Sequence, residues 1–473
     1  MLMLSNNLLR VRSSRPAACL VLGLSLLSLP GCLNDDDGDR LIRAPWQERD
    51  SGPAVQFRDE PTIKVRLVGA IPTCSLQGTA PLLVRPAGVG GETGTGARSN
   101  TLTPPLQIQI SSAGIRVTPA SGAATLFPIG QDVEIALASA HAHVGAVRGT
   151  GIETARLTLP GEGASMSVPG VITVKGDWAG GGIRMDVISE MPMESYVAGV
   201  VAREMYASWP RGAYEMQAVA SRSFALHEQQ RARSTGRGFD IDSSPASSQA
   251  FAGTAASATV IAAVEATRGQ VLSDGSGHIL RAYFSSCSGG RPASASDVWP
   301  TGNGFEYNRA SPLQATRRTD YSQQSPKARW TVKRSSDDVS RRVRMWGDSS
   351  GEGLRTLGRI RAIEVSKRNE ADRPRKFRIT DDRGQTFELG AELMRQALNH
   401  PAAGTAAITD TSRVWSSDME FKVTATDVVI TGRGFGHGVG MCQWSAKAMA
   451  EGGVSWRQMA THFYPGSGVR KVY

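Results

Sequence analysis

Apolar and polar residues alternate in short runs along residues 62–187. Clear examples are 63–68, 106–110 and 171–174, and stretches containing Gly and Pro separate them. A period of two predicts strands with one buried face, and the Gly- and Pro-containing stretches predict turns. We therefore expect this part of the chain to be mostly β, with a loop rich in Gly, Thr and Ser over 86–105.

A helical period replaces this alternation at Pro192. Apolar side chains then recur at spacings of three and four and form one stripe: Met193, Val197, Val200 and Val201. Glu204 continues the stripe, so we expect its carboxyl group on the buried side of the helix. A carboxyl group removed from water has a raised pKa and keeps its proton near neutral pH, as a general acid must. The alternative is a Glu204 that faces outward or pairs with Arg222 of the next helix.

The remaining pattern mixes helices and strands. The segments from Pro192 to about 231, 255–267 and 337–345 read as helical, and the segments 270–272, 279–284, 360–366 and 423–431 read as strands. Together with the first part, this predicts an α+β fold. We divide the folded chain, 62–473, into a β-rich part (62–187), a central helical part (188–300), a mixed α/β part (301–430) and a last part with a Gly-rich motif and a C-terminal helix (431–473).

The first residues are typical of an export signal. Three arginines (Arg10, Arg12 and Arg15) precede an apolar run at 19–29, which is too short to span a bilayer. The run ends in Leu-Pro-Gly-Cys32, which resembles a bacterial lipoprotein cleavage box. We expect removal of 1–31, acylation of Cys32 and a flexible tether over 32–61, and thus a lipid-anchored protein of the cell envelope that faces the periplasm. The alternatives are a simple secretory signal and an uncleaved anchor.

Composition and charge narrow the class of protein. The 473 residues are 40% hydrophobic and 20% charged, a balance that argues against a fibrous or wholly disordered chain. The net charge is +10, and removal of 1–31, which holds three arginines and no acidic residue, leaves about +7. This charge favours polyanionic surroundings. A phosphate-cradling GxxxxGK, a zinc-finger spacing and a basic helix with aromatics are all absent from the sequence, so we expect no nucleic acid partner.

Glycine occupies every second position from 432 to 440 in GRGFGHGVGM. In an extended chain this alternation leaves one face without side chains, which admits either a sugar ring or another stretch of backbone, and the pattern alone favours backbone slightly. Of five cysteines, Cys19 leaves with the signal and Cys32 takes the lipid. Cys287 and Cys442, each in a Gly-rich motif, are the expected disulfide, with Cys74 left over; the alternative is two separate buried thiols.

Several motifs now form one ordered set: PMESYVAGVVAREM, EMQAVASRSFAL, AVEATRGQVL, SSCSGGRPASASDVWP, and GRGFGHGVGMCQWSAKAMAEGG followed by FYPG. In order and spacing they resemble the stage II sporulation protein D family, also called the SpoIID/LytB domain. The resemblance covers roughly 62–473. Motifs of ten or more residues that recur in one order are specific, whereas a lone Gly-rich run is weak evidence.

This resemblance implies a peptidoglycan lytic transglycosylase that acts on glycan strands, often strands stripped of stem peptides. The catalytic glutamate of the family falls on Glu204, within 188–300, which makes that part the catalytic core. The resemblance also implies a set of glycan-binding residues: Arg222, Gln249, Ser288, Gly289, Gly436, His437, Gly438 and Gln443.

Lytic cleavage explains why one carboxyl group can suffice. Glycosidases that use water need two carboxyl groups about 5–9.5 Å apart. Glu194 lies ten residues before Glu204, roughly 15 Å along a helix, and cannot form that pair. In the lytic reaction the 6-hydroxyl of the muramic acid closes a 1,6-anhydro ring, so the substrate brings its own nucleophile. Glu215 and Asp242 remain candidates for a second carboxylate, and hydrolysis remains the alternative outcome.

Some members of the family bind zinc through Cys and His residues before a Gln-x-aromatic motif. Here the segment 240–251 reads DIDSSPASSQAF and lacks such ligands, and the pair His141 and His143 has no further partner nearby in sequence. We therefore predict no metal and no cofactor. The alternative to an enzyme is a glycan-binding module that stimulates a cell-wall amidase, since relatives named as amidase modifiers share the domain.

Overall fold

A computed structural model describes residues 56–78, 80–88, 99–137, 155–158, 165–179, 182–244, 248–251, 253 and 255–473. The predicted export signal, Cys32, most of the tether, and the pair His141 and His143 lie outside the described residues. The described chain contains 23 strands and eight helices, which confirms the α+β prediction. Within the same residues, the longest helix is not apolar enough to cross a membrane.

The chain divides into two compact units, and each is made of two stretches. The first unit comprises the described residues up to Tyr206 together with Glu228–Ala256, and the second comprises Ala207–His227 and Ser257–Tyr473. Helix α2 (Arg211–Ser234) therefore contributes residues to both units. These units differ from the four consecutive parts that we drew from the sequence, because the chain leaves the first unit and returns to it.

The first unit is built on two sheets. A seven-stranded sheet has the order β13-β1-β12-β11-β8-β3-β4, and a six-stranded sheet has the order β10-β9-β2-β5-β6-β7. The strands are β1 (Thr62–Ile71), β2 (Thr73–Gln77), β3 (Leu82–Pro86), β4 (Asn100–Leu102), β5 (Leu106–Ser111), β6 (Gly114–Thr118), β7 (Thr125–Pro128), β8 (Val133–Leu137), β9 (Ala155–Thr158), β10 (Ser165–Val168), β11 (Val171–Ala179), β12 (Gly182–Pro192) and β13 (Ile241–Asp242).

Helix α1 (Met193–Glu204) continues directly from β12, which pairs antiparallel with β1. The alternation along β1 turns Ile63, Val65 and Leu67 into the core, which fixes the register of this pair. The chain before β1 also caps the helix, because the Glu60 carboxylate accepts the Glu194 N–H at 2.8 Å. The start of α1 is thereby tied to the first strand of the sheet.

The second unit holds the other helices and four small sheets. Its sheets have the orders β14-β23, β15-β22, β16-β21-β20 and β17-β18-β19. The helices are α3 (Ala258–Ala266), α4 (Ala295–Val298), α5 (Ser336–Ser350), α6 (Ala391–Asn399), α7 (Gln443–Glu451) and α8 (Trp456–Phe463). The strands are β14 (Gln270–Ser273), β15 (Phe284–Ser285), β16 (Trp330–Ser335), β17 (Ile360–Arg368), β18 (Pro374–Asp381), β19 (Thr386–Gly390), β20 (Met419–Val423), β21 (Asp427–Gly432), β22 (Met441–Cys442) and β23 (Gly468–Lys471).

Two strand predictions in this unit need correction. The segment 279–284 forms no continuous strand: only β15 and an isolated bridge between Ile279 and Ser273 are present. The segment 423–431 is a hairpin of β20 and β21, because the N–H of Thr424 bonds to the carbonyl oxygen of Asp427 and turns the chain. The mixed part 301–430 has a core of its own, in which Trp330, Phe377 and Met394 are buried.

Candidate functional site

Glu204 is the last residue of α1, in the first unit. Every residue from Met193 to Val201 is buried, whereas Glu204 is half-buried because the helix leaves the core at this end. Its Oε1 accepts the backbone N–H of Ala250 at 2.8 Å. The carboxyl group is therefore held in a defined orientation while part of the side chain reaches the surface.

The short loop 248–251 that supplies this N–H is anchored on the middle of α1. The Tyr196 hydroxyl donates to Oε1 of Gln249 at 3.1 Å, and the Tyr196 and Phe251 rings stack with centroids 5.3 Å apart. Burial first, and then the nearby acidic side chains, raise the pKa of Tyr196 well above its usual value, so the hydroxyl keeps its proton for Gln249. Gln249 is only 1% exposed, which makes it a residue that positions the loop.

Gly199 permits the close approach of this loop to α1. A Cβ at this position would lie 2.5 Å from the Phe251 ring and 2.5 Å from the carbonyl oxygen of Gly253. Real Cβ atoms do not approach so closely, and any side chain here would push the loop away. At about 100° per residue around a helix, Gly199 lies about 60° to one side of Tyr196 and Glu204 about 80° to the other, so Tyr196 stands between them on α1. The motif YVAGVVARE thus carries both the carboxyl group and the means of holding it.

The two candidates for a second carboxylate are engaged in ion pairs. The Arg66 guanidinium donates to both carboxylate oxygens of Asp242, at 2.7 and 3.1 Å. In the second unit, Arg211 donates to Glu215 at 2.8 Å across one turn of α2. Both carboxylates therefore have a structural partner.

The segment that holds zinc ligands in some relatives does not fit a metal here. Asp240 accepts the Lys64 N–H at 2.8 Å and an N–H of Gln229 at 3.2 Å, and thiol and imidazole groups are missing from the segment. Among the described residues, which omit 245–247, there is no cluster of three or more His, Cys, Asp or Glu that could hold a metal ion. The prediction of no metal stays a prediction.

The Gly-rich motif 432–441, in the second unit, is not continuously extended. The glycines at 434, 436, 438 and 440 all have positive φ, so the chain turns at every second residue. Its neighbour is backbone: Cys287 and Phe435 form an antiparallel bridge, and a Cβ at Gly434 would lie 2.5 Å from the Cys287 carbonyl oxygen. The sequence left open whether a sugar ring or backbone lies against the glycines. The structure shows backbone there, from the motif SSCSGGRP (285–292), which is the first of the two Gly-rich motifs.

Two arginines of the mixed part hold this motif in place. The buried Arg373 guanidinium donates to the carbonyl oxygens of Ser288 (3.2 Å), Arg291 (2.8 Å) and His437 (3.4 Å). Arg318 donates to the carbonyl oxygen of Gly440 at 2.8 Å. Backbone that turns this tightly cannot pair within itself, and the guanidinium groups satisfy its carbonyl oxygens instead. The segment 301–430, to which the sequence assigned no role, therefore supports the Gly-rich motif.

Most of the predicted glycan-binding residues of this unit are buried. Arg222 is 0% exposed and donates to the carbonyl oxygens of Gln270 (3.0 Å) and Val264 (3.4 Å). Gln443 donates to the buried Gln217 at 3.2 Å. Two others, Ser288 and Gly438, are also buried, whereas three remain half-buried: Gly289, Gly436 and His437. The structure thus gives Arg222 and Gln443 roles in packing, which is a correction to their predicted contact with substrate.

His437 is a neutral histidine within the motif. Desolvation of the ring lowers its pKa to about 4; the charges of Arg395 and Arg373 lower it further, whereas the charge of Glu392 acts in the opposite direction. Its Nδ1 accepts the Val439 N–H at 3.0 Å, which fixes the ring relative to the motif backbone. At neutral pH this side chain carries no charge.

The expected disulfide is also corrected. Cys74, Cys287 and Cys442 are all free cysteines, and all three are buried. Cys287 and Cys442 do contact each other, because β15 pairs with β22 and the Ser288 N–H donates to the Cys442 sulfur at 3.4 Å. Burial raises the pKa of Cys442, but hydrogen bonds from Cys287, Ser445 and the Ser288 backbone lower it overall to about 6. The structure thus keeps Cys287 and Cys442 as separate buried thiols.

The residues that support Glu204 and the Gly-rich motif 432–441 were not predicted from the sequence. Arg318 and Arg373 lie in loops without periodicity, and an arginine that binds distant carbonyl groups leaves no pattern in the sequence. Tyr196 and Gly199 stood inside a motif that we had singled out for its glutamate. Their signal was present, since a glycine in the middle of an apolar helix implies a close neighbour.

Two family profiles match parts of the chain. The profile described as Stage II sporulation protein (SpoIID) matches residues 182–273, which include Glu204 and the loop 248–251. A second profile, a domain of unknown function (DUF8618), matches 306–440, which include Arg318, Arg373 and most of the Gly-rich motif.

Curated relatives are about one quarter identical to the chain. Stage II sporulation protein D of Bacillus subtilis is 25% identical over 298 residues, which cover 60% of this chain and 76% of that protein. The amidase enhancer of Bacillus subtilis is 25% identical over 298 residues, which cover 57% of this chain but only 39% of the enhancer. An uncharacterised protein of Brachyspira hyodysenteriae is 25% identical over 282 residues, or 60% of this chain and 67% of that protein.

The SpoIID profile over 182–273 and the similarity to Stage II sporulation protein D of Bacillus subtilis and Bacillus amyloliquefaciens support membership of the SpoIID family. The profile and the two named Bacillus subtilis relatives support a role related to the cell wall.

Proposed function

We propose that this protein is a peptidoglycan lytic transglycosylase. It cleaves the bond between MurNAc and GlcNAc in peptide-poor glycan strands and leaves a 1,6-anhydro-MurNAc end. The observation that carries the proposal is the Glu204 carboxyl group, half-buried at the end of α1 and fixed by the Ala250 N–H at 2.8 Å. One carboxyl group held in a defined orientation at the surface is what an acid and base acting in turn on one substrate requires.

The reaction balances with this one group. Glu204 in its acid form gives its proton to the glycosidic oxygen, and the bond from that oxygen to C1 of the muramic acid breaks. The 6-hydroxyl of the same sugar then attacks C1, and its proton returns to the carboxylate. Glu204 ends the cycle protonated, as it began, and water is not consumed.

The ion pairs of the other carboxylates favour this course over hydrolysis. A hydrolase needs a second carboxyl group to activate water or to attack the sugar. Asp242 is held by Arg66 through two hydrogen bonds, and Glu215 by Arg211. Neither is presented as an unengaged base, so the nucleophile is assigned to the substrate.

The test uses purified glycan strands with and without stem peptides, and the products are identified by mass spectrometry. Wild-type protein should produce anhydromuramic ends from the peptide-free strands, and Glu204→Gln, which is close to isosteric, should produce none. Asp242→Asn and Glu215→Gln serve as matched carboxyl-to-amide controls and should still form anhydromuramic ends. Full activity of Glu204→Gln would remove this residue from the mechanism.

A second function is favoured by one observation, the similarity to an amidase enhancer. In this alternative the domain binds glycan and stimulates a cell-wall amidase as its partner. The two functions separate in one variant: stimulation through binding alone should survive Glu204→Gln, whereas stimulation through strand cleavage should be lost with it. The measurement is release of stem peptides by a purified amidase with each protein added.

The proposed location is the periplasmic face of the cell envelope, with anchoring through a lipid on Cys32. One acyl-modified cysteine after a cleaved signal would hold the protein at a membrane without a spanning helix. Growth with a palmitate analogue should label the wild type, and Cys32→Ser should be unlabelled. An unlabelled wild type would exclude the lipid anchor.

A further inference from the structure

We propose that Trp299, in the second unit, is a platform on which a sugar ring of the glycan strand stacks. The indole follows α4 and is half-buried, so part of it reaches the surface. One of its faces lies on the buried Tyr283 ring, with centroids 4.0 Å apart and planes inclined by 12°. The inference rests on the proposed function, because it names a binding residue for the same class of substrate.

The indole is held rigidly from beneath. The Tyr283 hydroxyl donates to Asn308 at 2.7 Å, and Asn308 in turn donates to the Pro300 carbonyl oxygen at 2.7 Å. The ring under Trp299 and the residue after it are thereby joined through one amide side chain. A ring that is already fixed loses little conformational entropy when a ligand binds to it.

The tryptophan also connects to the Gly-rich motif. The His437 ring meets Trp299 edge to face, with centroids 4.9 Å apart. His437 is one of the half-buried residues of that motif and is neutral at physiological pH. The indole and an uncharged imidazole ring thus lie side by side, and both are partly exposed.

The chain beyond Trp299 leaves room for a ligand. Pro300, Gly302, Asn303 and Gly304 are exposed, and a Cβ at either glycine would meet nothing within 4 Å. A pyranose has an apolar face of C–H groups and a rim of hydroxyl and acetamido groups. The indole face suits the first, and the open, polar loop with its backbone and Asn303 amide suits the second.

The test measures binding in full-length protein that carries Glu204→Gln, so that turnover does not interfere. The probe is purified peptide-free glycan strands, with affinity measured by calorimetry. Trp299→Leu retains apolar bulk but removes the ring, and we expect the affinity to fall about tenfold. Trp299→Phe retains a ring face and should lose much less. Trp456→Ala is the matched control, because Trp456 is another half-buried tryptophan of this unit and lies under Arg457.

The outcomes are distinct. Equal affinity for Trp299→Leu and its Glu204→Gln parent would overturn the platform and leave the proposed function standing. Equal losses for Trp299→Leu, Trp299→Phe and Trp456→Ala would also overturn it, because the effect would then be general destabilisation. Absence of binding by the parent, together with absence of cleavage by the wild type, would overturn the proposed function and the platform with it.

Discussion

Two motifs of this protein, the end of α1 with Glu204 and the Gly-rich motif 432–441, are held in place by different means. In the first unit the Glu204 carboxyl group accepts a backbone N–H from a loop, and that loop rests on Tyr196. In the second unit a stretch of backbone is shaped by glycines with positive φ and held by the guanidinium groups of Arg318 and Arg373.

The two motifs therefore differ in what a substitution changes. A change near Glu204 can alter one carboxyl group while the sheets of the first unit remain packed. A change in the Gly-rich motif affects the backbone itself, and Arg318 and Arg373 then lose acceptors in it. We therefore expect substitutions of the first kind to lower activity more than stability, and substitutions of the second kind to lower stability first.

The largest effect is expected for Gly440→Ala. Gly440 has φ of +70°, and a Cβ there would lie 2.1 Å from the Tyr283 carbonyl oxygen. Strain and overpacking together should lower the free energy of unfolding by about 3–5 kcal/mol, measured by chemical denaturation. Gly452→Ala is the control, because Gly452 has φ of −79° and its Cβ would make ordinary contacts of 3.4 Å or more. Similar losses for both would contradict the account.

Arg373→Met should have the next largest effect. The substitution removes a buried guanidinium and leaves carbonyl oxygens of both Gly-rich motifs without their donors. We expect a loss of about 3 kcal/mol in the free energy of unfolding. Arg375→Met, two residues along β18, removes a guanidinium that is 48% exposed and pairs with Asp297, and should cost about 1 kcal/mol or less. A larger loss for Arg375→Met than for Arg373→Met would contradict the supporting role of Arg373.

Gly199→Ala should affect activity and leave stability nearly unchanged. Alanine favours the helix by about 1 kcal/mol over glycine, which offsets part of the cost of moving the loop 248–251. Displacement of the Ala250 N–H from Glu204 should lower the rate of glycan cleavage by at least tenfold. Ala202→Gly is the control. It changes helix propensity by about 1 kcal/mol in the opposite sense, and the protein should retain activity. A Gly199→Ala protein with full activity would show that the loop does not orient the carboxyl group.

A dependence of stability on pH is also expected from the second unit. Burial lowers the pKa of His437 and His462 to about 4, against about 6.5 for an unfolded histidine. Below pH 6.5 the unfolded chain binds more protons than the folded one, so stability is full above this pH and is lost as the pH falls towards 4. His437→Gln and His462→Gln should each flatten this slope between pH 4 and 6.5. An unchanged slope in both variants would contradict the lowered pKa values.

Helices and strands could be predicted from the sequence better than the contacts that hold them in place. Periodicity located α1 and the strands β1, β5 and β11, because burial on one face imposes a regular spacing. It left strand or loop open at 432–440, because a pattern of residue types does not distinguish a bare face from a chain that needs positive φ at Gly434, Gly436, Gly438 and Gly440.

The site could be predicted only in part, for a similar reason. Resemblance drew attention to Glu204 and Gln249, but only coordinates show that Gln249 is buried against Tyr196. The proximity of Cys287 and Cys442 could be predicted from their motifs, whereas the absence of a disulfide between them could not. Arg318 and Arg373 act on backbone far away in sequence, and such partners become visible only in the folded chain.

The most direct test of the central claim is cleavage of peptide-free glycan strands in water enriched in oxygen-18. If the 6-hydroxyl of the substrate attacks C1 with Glu204 as the acid and base, the new ends are anhydromuramic, contain no label and are lighter than hydrolysis products by one water. Reducing ends that carry oxygen-18 would show that water is the nucleophile and would contradict the account.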